Sequence, residues 1–285
     1  MGWPDTGTVP AVLLHRDTLL PVVARHFDSI WVFDHLYGFG DPGYPYLESW
    51  TTLTWLAARF PELQLGTLVL GVGLRNPALL AKMAATLQTL TGGRFVLGLG
   101  AGWREEEYRA YGFPFPPAAQ RIAQLDEAVT IIRRMWTEPA PTFTGRYYKV
   151  HDAYCEPRPA PAPPVMIGGE GEKHTLPLIA RQADWWNTGL WDATIYRSKR
   201  DILYREAEAV GRDPSAIVLT MEQMGGRLPE TASDSSRWLE ELQPFIDMGV
   251  AHFMFDFGNP PSPEPVERFA EEVIAPLNAG VGVTG

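Results

Sequence analysis

The sequence holds one cysteine, Cys155, in 285 residues, which excludes an internal disulfide and any cysteine metal cluster. It has no run of Lys and Arg either. With a formal charge of −10, it lacks the concentrated positive charge of a chain that grips nucleic acid or an anionic membrane. Its apolar stretches fall far short of the ~20 residues of a membrane span. The opening MGWPDTGTVP has no basic region leading into an apolar core, so no secretory signal is expected. Several short motifs are missing as well: there is no HExxH, no GxSxG, no GxxxxGK[ST], and no His/Asp/Glu group at clear metal-ligand spacing. What remains is a cytoplasmic enzyme or enzyme-like domain of ordinary composition, 45% hydrophobic and 20% charged. A chain of this length buries about 75% of its unfolded surface, enough for one large core.

Short apolar runs and helical patterns alternate along almost the whole chain. Ser29–Phe33, Leu63–Leu70, Phe95–Leu99, Val165–Gly168, Asp184–Thr188, Ile217–Met221 and His252–Phe257 are mostly β-branched or aromatic, as expected of parallel strands buried on both faces. Between them, Ile122, Leu125, Val129, Ile132 and Trp136 recur at helical spacing, and so do Leu79, Leu80, Met83, Ala84, Leu87 and Leu90. Trp238–Ile246 and Val266–Leu277 repeat the pattern. An eighth strand is expected at Thr8–Leu14, weakened by Pro10, ahead of a short helix from Asp17 to His26. Eight β/α units in a chain of this size predict a (β/α)8 barrel, an α/β TIM barrel forming a single domain over 1–285. Residues 138–164, with a hairpin at PTFTGRYYKV and then EPRPAPAPP, form an ordered excursion over the surface between the fourth and fifth barrel strands. The tail 278–285 is expected to fray.

In such a barrel the residues just past the strands' C-terminal ends face the active site. Asp34-His35 follows the second strand. His35 can move a proton near neutral pH, with Asp34 beside it able to fix its tautomer; the plain alternatives are a loop-end histidine and an aspartate that caps a turn. Gly168-Gly-Glu-Gly-Glu-Lys-His-Thr175 reads as an anion cradle: glycines expose backbone N–H groups, a helix N-terminus begins near Lys173, and that lysine can add charge. The alternative is an ordinary strand-to-helix turn. Gly98-Leu-Gly-Ala-Gly102 is GxGxG, not the dinucleotide GxGxxG. Its alternating glycines at 98, 100 and 102 leave one side open for a flat ring, against which Trp103 either stacks or packs. Glu105, Glu106 and Glu107 are read as serving the following helix start and solvent, with contact of one of them to a ligand as the alternative, and Asn187 ends the sixth strand. Cys155 sits in the excursion with no activating partner nearby in the sequence.

Taken together, SIWVFDH, LGTLVLGVGLRNPALLAKMAATLQTLTGGRFVLGLGAGWREEEYRAYGFPFP, RIAQLDEAVTIIRRMW, TFTGRYYKV and PPVMIGGEGEKHTLPLIARQADWWN resemble the luciferase-like flavin-dependent oxidoreductases, and within them the branch that uses the deazaflavin coenzyme F-420. The resemblance runs from about Asp17 to Asn187. It implies a flavin or deazaflavin lying across the strand ends, with His35 beside the reactive ring carbon. It further implies a bulged third strand at Leu68-Val69, often with a cis peptide backing the ring, and a phosphate end at Gly168, Gly169, Gly171 and Glu172. Hydride transfer to or from a small organic substrate follows as the expected activity. FMN-dependent monooxygenation is the alternative, and a non-catalytic flavin-binding barrel the alternative of another class. Members of the family are often homodimers. The sequence departs from the family's pattern twice. Its N-terminus lacks the usual clean first strand, and Trp103 stands where some deazaflavin enzymes carry a catalytic glutamate.

Overall fold

The computed structural model describes residues 9–38, 40, 41, 43–224, 226–256, 258 and 262–280, with the backbone alone at 9–15 and 280. In chain order the elements are α1 (Val9–His26), β1 (Ser29–Val32), α2 (Ser49–Arg59), β2 (Gln64–Thr67), β3 (Leu70–Gly71), α3 (Pro77–Leu90), β4 (Phe95–Gly100), α4 (Glu105–Ala110) and α5 (Ala118–Thr137). They continue with β5 (Phe143–Thr144), β6 (Lys149–Val150), β7 (Val165–Gly168), α6 (Thr175–Gln182), β8 (Trp185–Thr188), α7 (Ala193–Ala209), β9 (Val218–Met224), α8 (Ala232–Asp247) and β10 (Val250–Asp256). A last helical stretch runs through α9 (Glu264–Phe269), a π turn at Ala270–Ile274 and α10 (Ala275–Gly280).

Seven strands follow one another side by side in the order β1-β2-β4-β7-β8-β9-β10, with β3 also on β4, and every pair among them is parallel. This is the barrel read from the sequence, and all seven apolar runs become its strands. The run Leu63–Leu70 divides into β2 and β3 around a cis peptide between Leu68 and Val69. The helices form where the apolar spacing put them. α5 buries Leu125, Val129, Ile132 and Trp136. α3 starts at Pro77 under an Asn76 cap that accepts from the Ala78 and Leu79 N–H groups. On α3 the inward face is Leu80, Ala81, Ala84, Ala85 and Leu87, while Leu79 and Leu90 turn outward; small alanines let α3 pack closely on α5.

The first unit differs from expectation. Residues 9–14 of the expected strand belong to helix α1, which runs unbroken to His26; Thr8 lies outside the described residues. Pro10 falls in the first turn of that helix, where a missing N–H costs no intrahelical bond. The same proline weakens a strand. Leu19, Leu20, Val22 and Val23 are buried, which is helical periodicity, not alternation. Of the expected frayed tail, 278–280 close α10, and 281–285 lie outside the described residues.

Between α5 and β7 the chain forms the β5/β6 ribbon and then packs back on the helices. Glu127 of α5 accepts from the Arg146, Tyr147 and Tyr148 N–H groups. The proline-rich run lies along α3, where Gln88 donates to the Pro161 carbonyl and Lys82 to that of Glu156. Cys155 is fully buried there, with Sγ 3.8 Å from the Ala81 carbonyl.

The barrel interior is filled by Trp31, Val96, Met166 and Met254, with Trp185 packed against them. A Cβ at residue 66 would stand 2.0 Å from the Trp31 ring, so β2 carries glycine there. The end strands β1 and β10 meet through side chains. Ser29 Oγ and His252 Nε2 are 3.0 Å apart, Trp31 Nε1 donates to the same hydroxyl at 2.9 Å, and the Trp31 and Trp185 rings both contact the imidazole. Burial disfavours the charged ring and takes the His252 pKa down to about 4. The unfolded chain therefore binds this proton more tightly than the native one. The stability that the neutral ring confers is complete above the ordinary imidazole value of about 6.5 and is lost as pH falls through about 4. Thermal melts of the wild type and of His252→Gln, compared between about pH 7.5 and about pH 4.5, should show the larger fall in Tm for the wild type.

Candidate active site

The C-terminal strand ends open onto a cavity of about 600 Å³. Ten of the residues singled out from the sequence line it: Asp34 and His35 after β1, Leu68 and Val69 between β2 and β3, Gly100, Gly102 and Trp103 at β4, Gly168 and Gly169 after β7, and Asn187 on β8. Gly171, Glu172 and Lys173 are not among its lining residues. Glu172 pairs with Lys199 at 2.7 Å, Lys173 is exposed, and α6 begins at Thr175, not at Lys173. The N–H groups of Thr175 and Leu176 already bond the Gly171 carbonyl. An anion held here therefore meets the turn before the helix.

The glycines of β4 do a different job from the one expected. A Cβ on Gly98 would lie 1.8 Å from the Thr67 carbonyl oxygen, and one on Gly100 would lie 2.6 Å from Val69. The strand is bare because the bulged chain between β2 and β3 presses on it. Val69 also approaches Gly168, where a Cβ would come within 3.2 Å. The surface offered to a flat ligand is thus Leu68-Val69 resting on glycine. Gly102, at φ +78°, and Gly71 make room for the Tyr108 hydroxyl, which a Cβ would approach to 2.2 and 2.5 Å. That hydroxyl is buried and has no hydrogen-bond partner among the described residues. Burial, reinforced by the charge of Asp34, pushes its pKa up to about 12. A buried donor at the cavity wall calls for an acceptor from a ligand.

His35 is held by Glu107, not by its neighbour Asp34. Its Nδ1 lies 2.9 Å from Glu107 Oε2. Glu107 Oε1 accepts from the Leu36 N–H and from Arg104, each at 3.0 Å. Arg104 extends the tie by donating to the Tyr37 and Gly38 carbonyls. Glu107 is 1% exposed, so the assignment of the whole triplet to the helix start and solvent fails for this member. Its signal was the adjoining Tyr108, which starts the inward face of α4. Asp34 is structural: it accepts two bonds from Arg75 at 2.7 and 2.9 Å, one from Ser49 at 2.7 Å and one from the Gly71 N–H at 2.9 Å, joining β1 to α2 and the turn after β3.

The opposite wall carries Glu170, Thr188, Glu222 and Met224. Asn187 Nδ2 donates to Glu222 Oε2 at 3.1 Å, and burial, reinforced by the charge of Glu170, raises the Glu222 pKa. Glu222 was missed because the expected strand stopped at Met221, whereas β9 continues to Met224. Trp103, 65% exposed, stands at the mouth with its ring 5.7 Å from that of His35.

Residues 25–272 match the family model of luciferase-like monooxygenases. An F-420-dependent glucose-6-phosphate dehydrogenase of Intrasporangium calvum is 31% identical, over 88% of this chain and 90% of its own. The same-named protein of Kineococcus radiotolerans is 41% identical, over 68% of this chain and 58% of its own. Among solved structures, an F-420-dependent secondary alcohol dehydrogenase holding an F-420-acetone adduct superposes with a TM-score of 0.80 at 20% identity, covering 96% of this chain and 98% of that one.

Removing the Asp34 charge leaves the largely buried Arg75 with Glu48 as its remaining carboxylate partner and leaves Ser49 and the Gly71 N–H without their acceptor. Asp34→Ala is expected to cost about 3–5 kcal/mol, measured as a lowered midpoint in urea unfolding followed by tryptophan fluorescence.

Proposed function

The chain belongs to the luciferase-like monooxygenase family, and on that premise we propose that it carries out hydride transfer between coenzyme F-420 and a small organic substrate. The observation that carries this reading is the pairing of a proton-handling residue with a flat, glycine-backed bed. His35, buttressed by Glu107, faces the same cavity as Leu68-Val69 and the unpartnered Tyr108 hydroxyl. The curated relatives with F-420 in their names add support.

The residues present fit the deazaflavin. Leu68, Val69 and Gly100 form the bed, Tyr108 offers a buried donor, and Gly168 and Gly169 open the turn that leads to the phosphate end. Bound there, the coenzyme supplies the carbon that accepts or returns a hydride. The protein supplies position and proton management. A carboxylate accepting from Nδ1 keeps a proton on that nitrogen and turns Nε2 into the one that exchanges protons with the substrate. Glu107 is a positioning residue in this scheme, also fixing the backbone at Leu36 so that the ring cannot swing.

Parallel titrations of the purified protein with F-420 and with FMN, followed by fluorescence, are expected to show saturable F-420 binding with the weaker affinity for FMN. Binding of neither ends the proposal. His35→Ala should keep F-420 affinity and lower kcat by about 10²–10⁴. Glu107→Gln should keep affinity but lower kcat and displace the pH–rate profile. Full turnover by His35→Ala would remove the histidine from the mechanism.

A further inference from the structure

The other end of the barrel carries a second opening. A groove of about 490 Å³ is lined by Arg133 and Arg134 of α5, Arg181 of α6, Arg212 ahead of β9 and Asp184 ahead of β8. The Asp184 N–H donates to the Val165 carbonyl, and Asp184 Oδ2 accepts from the Val165 N–H at 2.8 Å. The groove therefore lies where β7, β8 and β9 begin. These strands are parallel, so the candidate active site stands at their opposite ends, and the two openings share no lining residue.

Four guanidinium groups meet one lining carboxylate here, on a chain whose formal charge is −10. Arg134 is fully engaged, with two bonds to Glu138 at 2.7 Å and one to the Thr142 carbonyl. The other three keep donors in reserve. Among the described residues, Arg133 uses Nη2 alone, on the Gln182 carbonyl and Asp184. Arg181 donates to Asp126 and the Pro177 carbonyl and leaves its Nε unused. Arg212 has no carboxylate partner among the described residues and reaches the Ala180 and Ala216 carbonyls at 3.3 and 3.5 Å, both long for a hydrogen bond.

Arg212 is also half-buried. Burial, with the charge of Arg133 acting in the same direction, lowers its pKa against the pull of Asp184. Two guanidinium groups that share one carboxylate repel each other, and an anion seated between them relieves that repulsion. Their planar forks match the oxygens of a phosphate in both geometry and charge. A groove of this volume also has room for the body of a small ester.

We propose that this groove binds a phosphate-type oxyanion, either inorganic phosphate or the head of a small phosphate ester, through Arg133, Arg181 and Arg212. The bound anion joins α5 and α6 to the turn before β9, and stabilises the fold by mass action. The proposal does not depend on the cofactor reading.

Calorimetric titration with inorganic phosphate and with glycerol 3-phosphate, in chloride buffer of matched ionic strength, tests it. The expected result is saturable binding of at least one probe with a Kd below about 10 mM, and the tighter probe tells whether the free anion or the ester is preferred. Arg212→Gln and Arg181→Gln should each weaken that binding about 10-fold. Arg181 is exposed, so its variant carries the test should Arg212→Gln fail to fold. Lys149→Gln, which removes the same charge from an exposed position on β6, should leave the affinity unchanged. Phosphate should raise the Tm of the wild type more than that of Arg181→Gln. Absence of saturable binding below about 10 mM overturns the proposal. So does binding that either folded arginine variant leaves unweakened, because the anion is then held elsewhere. An equal loss in Lys149→Gln also overturns it, because net charge alone then explains the effect.

Discussion

The carboxylate of Glu107 organises the catalytic end of this barrel. With two oxygens it joins a ring nitrogen of His35, the backbone N–H of Leu36 and the guanidinium of Arg104, and Arg104 carries the connection to the next two carbonyls of the same loop. A loop after one strand and a loop after another are thereby made a single rigid piece. Buried charges persist only when each is matched and hydrogen-bonded, and here the matching groups are the ones that hold His35 against the cavity. Asp34 performs the parallel service one turn away, locking the start of that loop to Arg75 and Gly71. The adjacent Asp34-His35 pair thus divides its labour: one side chain ties the wall together and the other is held at the cavity by Glu107.

Much of the fold was legible because parallel strands buried on both faces leave continuous apolar runs, and crossover helices leave a 3.6-residue spacing. Those two signals located seven strands and the main helices. They failed at the N-terminus, where a proline counts against a strand but suits a helix's first turn, and where burial of Leu19, Leu20, Val22 and Val23 follows the helical period. The site was legible in part, by one rule: look past the strand ends. It found His35, Trp103 and Asn187, whereas Val69 came from the resemblance. It overlooked Glu222, because the strand runs farther than its apolar stretch, and Glu107, because three consecutive glutamates look alike until one is buried. The glycine pattern at 98 and 100 was noticed but its purpose misread. A sequence shows that space has been left, and only the fold shows which neighbour fills it.

The bed, the buttressed histidine, the turn at Gly168 and the rim all lie within residues 25–272, which match the family model, and no helix in the described chain is long and apolar enough to cross a membrane. Trp103 follows β4, while Glu222 and Met224 both stand at the end of β9, and loops at such ends vary most readily on a rigid scaffold.

The contact of Val69 with Gly100 and Gly168 divides the cavity into two regimes of evolutionary freedom. A side chain added at Gly100 would collide with Val69 and one at Gly168 would crowd it, so the depth and flatness of the floor are set together. Around the opening, Trp103 and Met224 stand exposed. A lineage built on this plan can exchange one substrate for another by altering a few residues at the mouth, while the bed beneath stays fixed by main-chain geometry.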